Sequence, residues 1–237
     1  MDRSTKRALW VVAGVVVLIA LILHHSITSD EIIFFLVVVP SVILHEISHG
    51  WAARALGDDT AARAGRLSLN PLVHVDPVGT LIVPAVMALA GYGVFGWAKP
   101  VPVNTTRLRS PRNQAVLVSL AGPLTNLILA LIGGFVFIVL FRSTFNPYNP
   151  SVLSRVVLFF SVANIGLMAF NLIPIPPLDG SHLLRVATGM SWEAYHNFAR
   201  FGFFIVIIVL QIPVVRTLLA TAVFGTMGVF GNLFGVQ

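Results

Sequence analysis

Long apolar runs constrain this chain more than any other feature. They meet or approach the roughly 20 residues that a helix needs to cross a bilayer, and they lie at residues 8–23, 32–56, 115–141, 152–172 and 201–212. Of the 237 residues, 57% are hydrophobic and only 10% are charged, whereas an average soluble domain has roughly 25% charged residues. The sequence therefore predicts an all-α polytopic membrane protein with about five to six transmembrane helices.

The runs and the breaks between them predict one integral membrane domain over residues 1–237. Its elements are a first span at 8–27, a second at 31–56, a re-entrant or spanning segment with an extended strand region at 60–112, further spans at 113–141 and 152–173, and one or more C-terminal membrane helices at 198–236. A Ser29/Asp30 cap is expected to begin the second span, and Gly57 to end it.

Basic residues predict the topology, because short cytoplasmic loops are enriched in Lys and Arg. Arg3, Lys6 and Arg7 place the N-terminus in the cytoplasm, so the second span runs inward. Both flanks of the segment after it are basic, and the apolar stretch Gly79–Trp97 contains proline and several glycines. This stretch is expected to re-enter from the cytoplasmic side, with a full span as the alternative.

Charge and cysteine content exclude several functions. The net charge of +6 comes from 15 Lys and Arg against nine acids. The basic residues are scattered over loops, a pattern that indicates membrane topology and no nucleic-acid partner. The chain has no cysteine, so disulfides and thiolate metal sites are excluded. A metal can bind only through His, Asp, Glu or Asn.

The second span contains the sequence HEISH, with His45 and His49 four residues apart. On a helix this spacing puts both imidazoles on one face beside Glu46, which suits two metal ligands and a general base. Ionisable groups inside a span are rare and mark functional sites by default. The alternative is a polar cluster that holds helices together.

A hydrolytic zinc site needs a third protein ligand. Asp179 is the best placed of the distant acids because it follows PIPP, which breaks a helix at membrane depth, where irregular backbone is tolerated only inside protein or beside a cavity. An ordinary turn aspartate in PLDG is the alternative.

HEISH, the later AGPLTN and the NLIPIPPLDG sequence resemble, in order and separation, three signature elements of the site-2 protease family of intramembrane zinc metalloproteases. GRLSLNPLVHVDPVGT and GWAKPVPVN resemble its compact bacterial branch, without PDZ or CBS domains. The resemblance implies one Zn²⁺ per chain held by His45, His49 and Asp179. It also implies that Glu46 is the catalytic base that activates the attacking water.

The same resemblance implies further substrate contacts. Asn126 and Asn171 match positions that face the substrate, with packing between helices as the alternative. The segment with Lys99, Val101 and Val103 resembles the strand region with which an unwound substrate pairs.

Two loop positions are less defined. His74 is expected either at the mouth of the site or as a structural loop histidine. At Ser181 and His182 the chain departs from the glycine and arginine that family members often have. A substitution without function is expected at His182, with a pH-sensitive neighbour of the site as the alternative.

The implied function is hydrolysis within the transmembrane segments of membrane-anchored proteins, such as an anti-sigma factor or signalling protein. The implied location is the bacterial inner membrane, with the lipid bilayer around the chain and the active site toward the cytoplasm. Two alternatives are an inactive metal-binding homologue and a small-solute transporter. A transporter should show inverted repeats, which the sequence lacks.

Overall fold

The computed structural model describes residue 12 and residues 28–83, 96–146 and 148–233. These residues are mainly helical and form no β-strand, which confirms the predicted all-α class. Four of their helices are long and apolar enough to cross a membrane: Ser29–Ala55, Pro111–Phe141, Val152–Asn171 and Trp192–Gln211. Apart from residue 12, the predicted first span at 8–27 lies outside the described residues, as does the chain end at 234–237.

The first described helix, α1 (Ser29–Ala55), carries the HEISH sequence. Its N-cap is Thr28 and not the predicted Ser29/Asp30 pair. The Thr28 hydroxyl accepts a hydrogen bond from the Glu31 N–H at 3.3 Å, and the Glu31 carboxylate accepts one from the Thr28 N–H at 2.7 Å. This reciprocal capping box satisfies two N–H groups at the helix start. Gly57 follows the helix with φ +112°, a conformation that favours glycine.

Within the described residues, the remaining helices follow in chain order after α1. They are α2 (Thr60–Arg63), a 3₁₀ turn at Pro71–Val73, a π-helical turn at Pro77–Ile82, a 3₁₀ turn at Thr105–Arg107, α3 (Pro111–Phe141), α4 (Val152–Asn171), α5 (Gly180–Ala187), α6 (Trp192–Gln211) and α7 (Pro213–Leu233).

Helices α1, α3 and α4 pack against one another and form the centre of the molecule. The Arg155 guanidinium at the start of α4 lies 2.6 Å from the Asp30 carboxylate at the start of α1, so these helices begin at the same end. The Arg109 N–H donates to the Leu56 carbonyl at 3.4 Å, so α3 begins where α1 finishes. Helix α3 therefore runs antiparallel to the other two.

Small side chains allow these helices to approach closely. A Cβ added to Gly133 of α3 would lie 3.0 Å from the Phe160 ring of α4, and the Ser161 hydroxyl donates to the Ala130 carbonyl at 2.9 Å. Close backbone approach and interhelical hydrogen bonds are the usual means of association in lipid. Many large apolar side chains, in contrast, are exposed and fit a lipid-facing surface, among them Leu36, Leu124, Phe135 and Val139.

The predicted re-entrant stretch, Gly79–Trp97, is described only at its ends, since residues 84–95 lie outside the described residues. The two ends meet. The Trp97 N–H donates to the Gly79 carbonyl at 3.0 Å, and the Thr80 hydroxyl donates to the Trp97 carbonyl at 2.9 Å. The following residues, 96–104, form neither helix nor strand.

The proline-rich loop after α4 is held by two glycines. A Cβ on Gly180, the first residue of α5, would collide with the Leu172 carbonyl, and a Cβ on Gly202 of α6 would collide with the Pro176 carbonyl. The loop therefore folds tightly onto the end of α4 and against α6. This packing fixes Asp179, the residue that precedes α5.

Candidate active site

The structure brings His45, His49 and Asp179 together. The Nε2 atoms of the two histidines are 3.1 Å apart. The Asp179 Oδ2 atom lies 3.1 Å from His45 Nε2, and its Oδ1 atom lies 3.3 Å from His49 Nε2. Both histidines are buried and Asp179 is largely so. Two helix positions one turn apart and a loop more than a hundred residues away thus share one small volume.

The other ring nitrogens show which way the imidazoles are protonated. His49 Nδ1 lies 2.7 Å from the Val118 carbonyl of α3, and His45 Nδ1 lies 2.5 Å from Asn126 Oδ1. A carbonyl only accepts hydrogen bonds, so His49 Nδ1 carries the proton. In the neutral imidazole the Nε2 lone pair then points toward Asp179.

This donor set fits a zinc ion. Asp179 Oδ2 is buried and accepts no hydrogen bond from the described residues. The three ligand atoms lie within 4.8 Å of one another. Nitrogen ligands at the usual zinc distance of about 2.0–2.1 Å in tetrahedral geometry are separated by roughly 3.3 Å. Lone pairs and a carboxylate facing one another repel unless a cation lies between them, so His45, His49 and Asp179 are the residues that would hold the metal.

Gly122 of α3 lies directly against the two imidazoles. A Cβ added there would be 2.5 Å from His45 Nε2 and 2.5 Å from His49 Nε2. Helix α3 can pass this close to α1 only because residue 122 has no side chain. The glycine of the AGPLTN sequence therefore leaves room for the metal ligands.

Glu46 occupies the position expected of a base beside the metal ligands. Its Oε2 atom accepts a hydrogen bond from the Val101 N–H at 2.8 Å. Glu46, His45, His49 and Asp179 all line a cavity of about 570 Å³, which is within the usual size range of ligand sites. The metal ligands and the carboxylate of Glu46 therefore face a common space that can admit a substrate.

The two predicted asparagines occupy different environments. Asn171 lines the cavity, and its amide donates to the Leu167 carbonyl one turn earlier at 3.0 Å. Asn126 is fully buried. Its Oδ1 atom lies 2.5 Å from His45 Nδ1, and its Nδ2 donates to Asn164 Oδ1 at 2.8 Å. Both polar ends of Asn126 are therefore engaged within the protein, and the predicted substrate contacts stay predictions.

The segment with Lys99, Val101 and Val103 lies across the end of α1, where two buried side chains hold its backbone. The Arg66 guanidinium donates to the Lys99 carbonyl at 2.6 Å. The fully buried Asp58 accepts from the Asn104 N–H at 2.6 Å. Val101 and Val103 line the cavity, whereas Lys99 does not border it.

His74 holds the segment with Lys99, Val101 and Val103 through a backbone hydrogen bond. Its carbonyl accepts from the Lys99 N–H at 2.8 Å, and its Nε2 lies 2.8 Å from the Ser68 carbonyl. The ring is buried and does not border the active-site cavity. These contacts agree with the structural alternative for His74.

Ser181 and His182, the two positions that differ from the usual family residues, contact α6. The Ser181 hydroxyl lies 2.8 Å from the Tyr195 hydroxyl, and His182 borders the cavity together with Tyr195. Burial lowers the pKa of His182, and the Asp179 carboxylate only partly offsets this. Burial therefore favours the neutral form of the His182 ring.

Sequence reasoning missed Ser41 and Asn164, which are fully buried on α1 and α4. Asn164 contacts Asn126 and Ser41 across 38 and 123 residues of chain. Polar residues in a span were the available signal, but no spacing rule connects residues this far apart.

The fold and the site define an integral membrane protein with a buried metal site formed by two histidines and an aspartate. The sequence matches the model of Peptidase family M50 over residues 33–148 and 143–210, more than half of the chain. The chain therefore belongs to Peptidase family M50, the site-2 protease family. This confirms the predicted family, and the donor set agrees with the predicted zinc cofactor.

Curated relatives carry related names. "Putative zinc metalloprotease YwhC" of Bacillus subtilis is 42% identical over 154 residues, 62% of this chain and 65% of that protein. "Putative zinc metalloprotease Rip2" of Mycolicibacterium smegmatis is 32% identical over 186 residues, 76% of this chain and 68% of that protein. "Putative zinc metalloprotease MJ0611" of Methanocaldococcus jannaschii is 31% identical over 154 residues, 65% of this chain and 70% of that protein.

The matched part of the chain thus spans 65% of the length of YwhC, slightly less than two thirds. No solved structure matches it significantly.

Proposed function

We propose that this protein is a zinc metalloendopeptidase that cleaves the transmembrane segments of membrane-anchored proteins. The observation that carries the proposal is the cluster of His45 and His49 on a membrane-spanning helix with Asp179 from the loop before α5, with Glu46 facing the same cavity. Structural metal sites use all their coordination positions for protein ligands, whereas hydrolytic zinc sites use three and leave one open. Three protein ligands beside a cavity therefore support hydrolysis.

The chemistry that a bound zinc ion supplies is Lewis-acid polarisation of the scissile carbonyl and a lowered pKa for water. Glu46 is the general base that takes the proton from the attacking water and later delivers it to the leaving amine. The Val101 N–H fixes one oxygen of this carboxylate, so the other oxygen is the one available to the water. Asn171 lines the cavity, and its role in this proposal is to donate the amide N–H that is not bonded to the Leu167 carbonyl to the substrate carbonyl.

A membrane-spanning substrate must unwind before attack, because a helix shields its peptide bonds. We place the unwound strand along Val101 and Val103, which border the cavity. In an extended chain, alternate residues present their N–H and C=O groups to the same edge. The intervening Pro100 and Pro102 have no N–H to donate. Since the Val101 N–H already donates to Glu46, the N–H of this segment that is left for pairing with a substrate is that of Val103.

The proposed location is a bacterial inner membrane, with the N-terminus and the active site toward the cytoplasm. Basic residues around the end of α1 and the start of α3 support this orientation, among them Arg63, Arg66, Lys99, Arg107, Arg109 and Arg112. The meeting of Gly79 and Trp97 supports the re-entrant path, since a single membrane crossing would separate the ends by about 30 Å. A membrane-anchored signalling protein, such as an anti-sigma factor, is the proposed class of substrate.

The test is a cleavage assay with the purified full-length chain, reconstituted in lipid vesicles with single-span test proteins. The wild type should cut within the span of at least one of them, and a chelator should stop the reaction. Glu46→Gln should bind zinc but leave the substrates intact, because it keeps the ligands and removes the base. Cleavage by Glu46→Gln at the wild-type rate would refute the assignment of the base, and chelator-resistant cleavage would refute a metalloprotease.

A further inference from the structure

A chain of hydrogen bonds joins His45 to polar side chains on all three central helices. His45 Nδ1 lies 2.5 Å from Asn126 Oδ1, and Asn126 Nδ2 donates to Asn164 Oδ1 at 2.8 Å. Asn164 Nδ2 donates in turn to Ser41 Oγ at 2.9 Å. Ser41, Asn126 and Asn164 are each 0% exposed. The chain therefore begins at a metal ligand and ends inside the protein without reaching solvent.

The direction of every hydrogen bond follows from one backbone carbonyl. Asn164 lies 2.8 Å from the Phe160 carbonyl, which only accepts, so the Asn164 atom facing it is the NH₂ group. The other end of Asn164 is then its oxygen, which requires the NH₂ group of Asn126. The Asn126 oxygen therefore faces His45 and accepts, and the proton of His45 resides on Nδ1.

Ser41 is the last member of the hydrogen-bond chain, and its hydrogen bonds have the direction that Asn164 requires. Its hydroxyl proton goes to the Val37 carbonyl one turn earlier on α1, at 2.8 Å. The Ser41 oxygen is thus left as an acceptor, which is what Asn164 Nδ2 needs. No member of the chain can reverse without placing two acceptors against each other in a buried site, at the cost of an unsatisfied polar group.

We propose that Asn164, supported by Ser41, is a positioning residue for the metal site: it orients Asn126 and thereby keeps the Nε2 lone pair of His45 directed at the metal. The inference rests on the proposed function, because it takes His45 as a metal ligand. A ring nitrogen that donates to a fixed acceptor sets both the tautomer and the orientation of a ligating histidine. His49 needs no such chain, since the Val118 carbonyl does the same for it directly.

Interhelical packing alone is the competing role for these amides, and Ser161 provides a matched comparison. Ser161 lies on α4 like Asn164, is buried, and its hydroxyl donates to the Ala130 carbonyl of α3 at 2.9 Å. It joins the same two helices but has no link to His45. A variant at Ser161 therefore loses a buried interhelical hydrogen bond without affecting the orientation of the ligand.

The experiment measures zinc affinity by competition with a chelator, on the purified full-length chain. Asn164→Leu should lower the affinity, by up to the ~10–100-fold that is usual for removal of the direct hydrogen-bond partner of a ligating histidine, here Asn126. Ser161→Ala should leave it unchanged. Asn126→Leu should lower the zinc affinity at least as much as Asn164→Leu. The double variant should bind zinc no more weakly than Asn126→Leu alone, because Asn164 acts only through Asn126.

The outcomes separate this inference from the proposed function. Equal zinc affinity in wild type and Asn164→Leu, or additive losses in the double variant, would overturn the positioning role and leave the metal site intact. Absence of zinc binding by the wild type would overturn both. If Asn164→Leu does not fold, Ser41→Ala deletes only a hydroxyl, and a loss of about two- to tenfold is expected. An unchanged affinity in Ser41→Ala would then count against the role.

A direct spectroscopic readout needs no variant of Ser41, Asn126 or Asn164. In zinc-loaded wild type with ¹⁵N-labelled histidine, assigned with the help of His45→Ala, the His45 Nδ1 resonance should be that of a protonated nitrogen coupled to its hydrogen. A His45 ring protonated at Nε2 and bonded to the metal through Nδ1 would refute the proposed tautomer.

Discussion

Substitution of Gly122 by alanine tests how tightly the metal ligands are packed. The added Cβ would be 2.5 Å from the Nε2 atoms of both His45 and His49, whereas unstrained carbon contacts lie at about 3.5–4.0 Å. Neither ring can withdraw easily, because each Nδ1 is fixed by a hydrogen bond, to Asn126 for His45 and to the Val118 carbonyl for His49. Overpacking of this kind costs about 1–3 kcal/mol.

If that cost falls on the metal-bound state, zinc affinity should drop by about 5- to 150-fold in Gly122→Ala. The assay is a competitive zinc titration of the purified chain against a chromogenic chelator. Gly166→Ala on α4 is the matched control, because a Cβ there meets no atom within 4 Å and should leave the affinity unchanged. Wild-type affinity in Gly122→Ala would show that the ligand cluster is looser than the structure indicates.

Three further predictions concern the acid ligand, the base and the loop. Asp179→Asn should weaken zinc binding and abolish cleavage, and full activity of this variant would exclude Asp179 as the third ligand. Val101→Pro removes the N–H that donates to Glu46, and it should lower the cleavage rate by about tenfold or more without releasing zinc. The control Val101→Ala keeps this N–H and should retain most of the activity. Gly202→Ala should lower the melting temperature in a thermal unfolding experiment, because the added Cβ would collide with the Pro176 carbonyl.

The sequence predicted the features that depend on local spacing. Apolar runs marked the spans, and the predicted 31–56 corresponds to the observed helix Ser29–Ala55. The four-residue separation of His45 and His49 put both on one helix face, because that follows from helix geometry alone. The proline-rich sequence before Asp179 indicated irregular backbone near the site, which is where the structure has it.

Contacts between helices could not be predicted in this way. The position of Asn126 relative to His45 depends on how α3 is rotated and how closely it approaches α1, and Gly122 decides that approach. The partner of Asn126 is on α4, 38 residues away. Periodicity shows which face of a helix is polar. It does not show which polar residue of another helix that face will contact.

The most direct test of the account is the metal content of the purified wild type measured beside His49→Ala by mass spectrometry. We expect about one zinc ion per chain in the wild type, since three ligands from one chain form one site, and little or none in the variant. Wild type without bound metal, or a variant that retains the full zinc content, would contradict the assignment of His45, His49 and Asp179 as a zinc site.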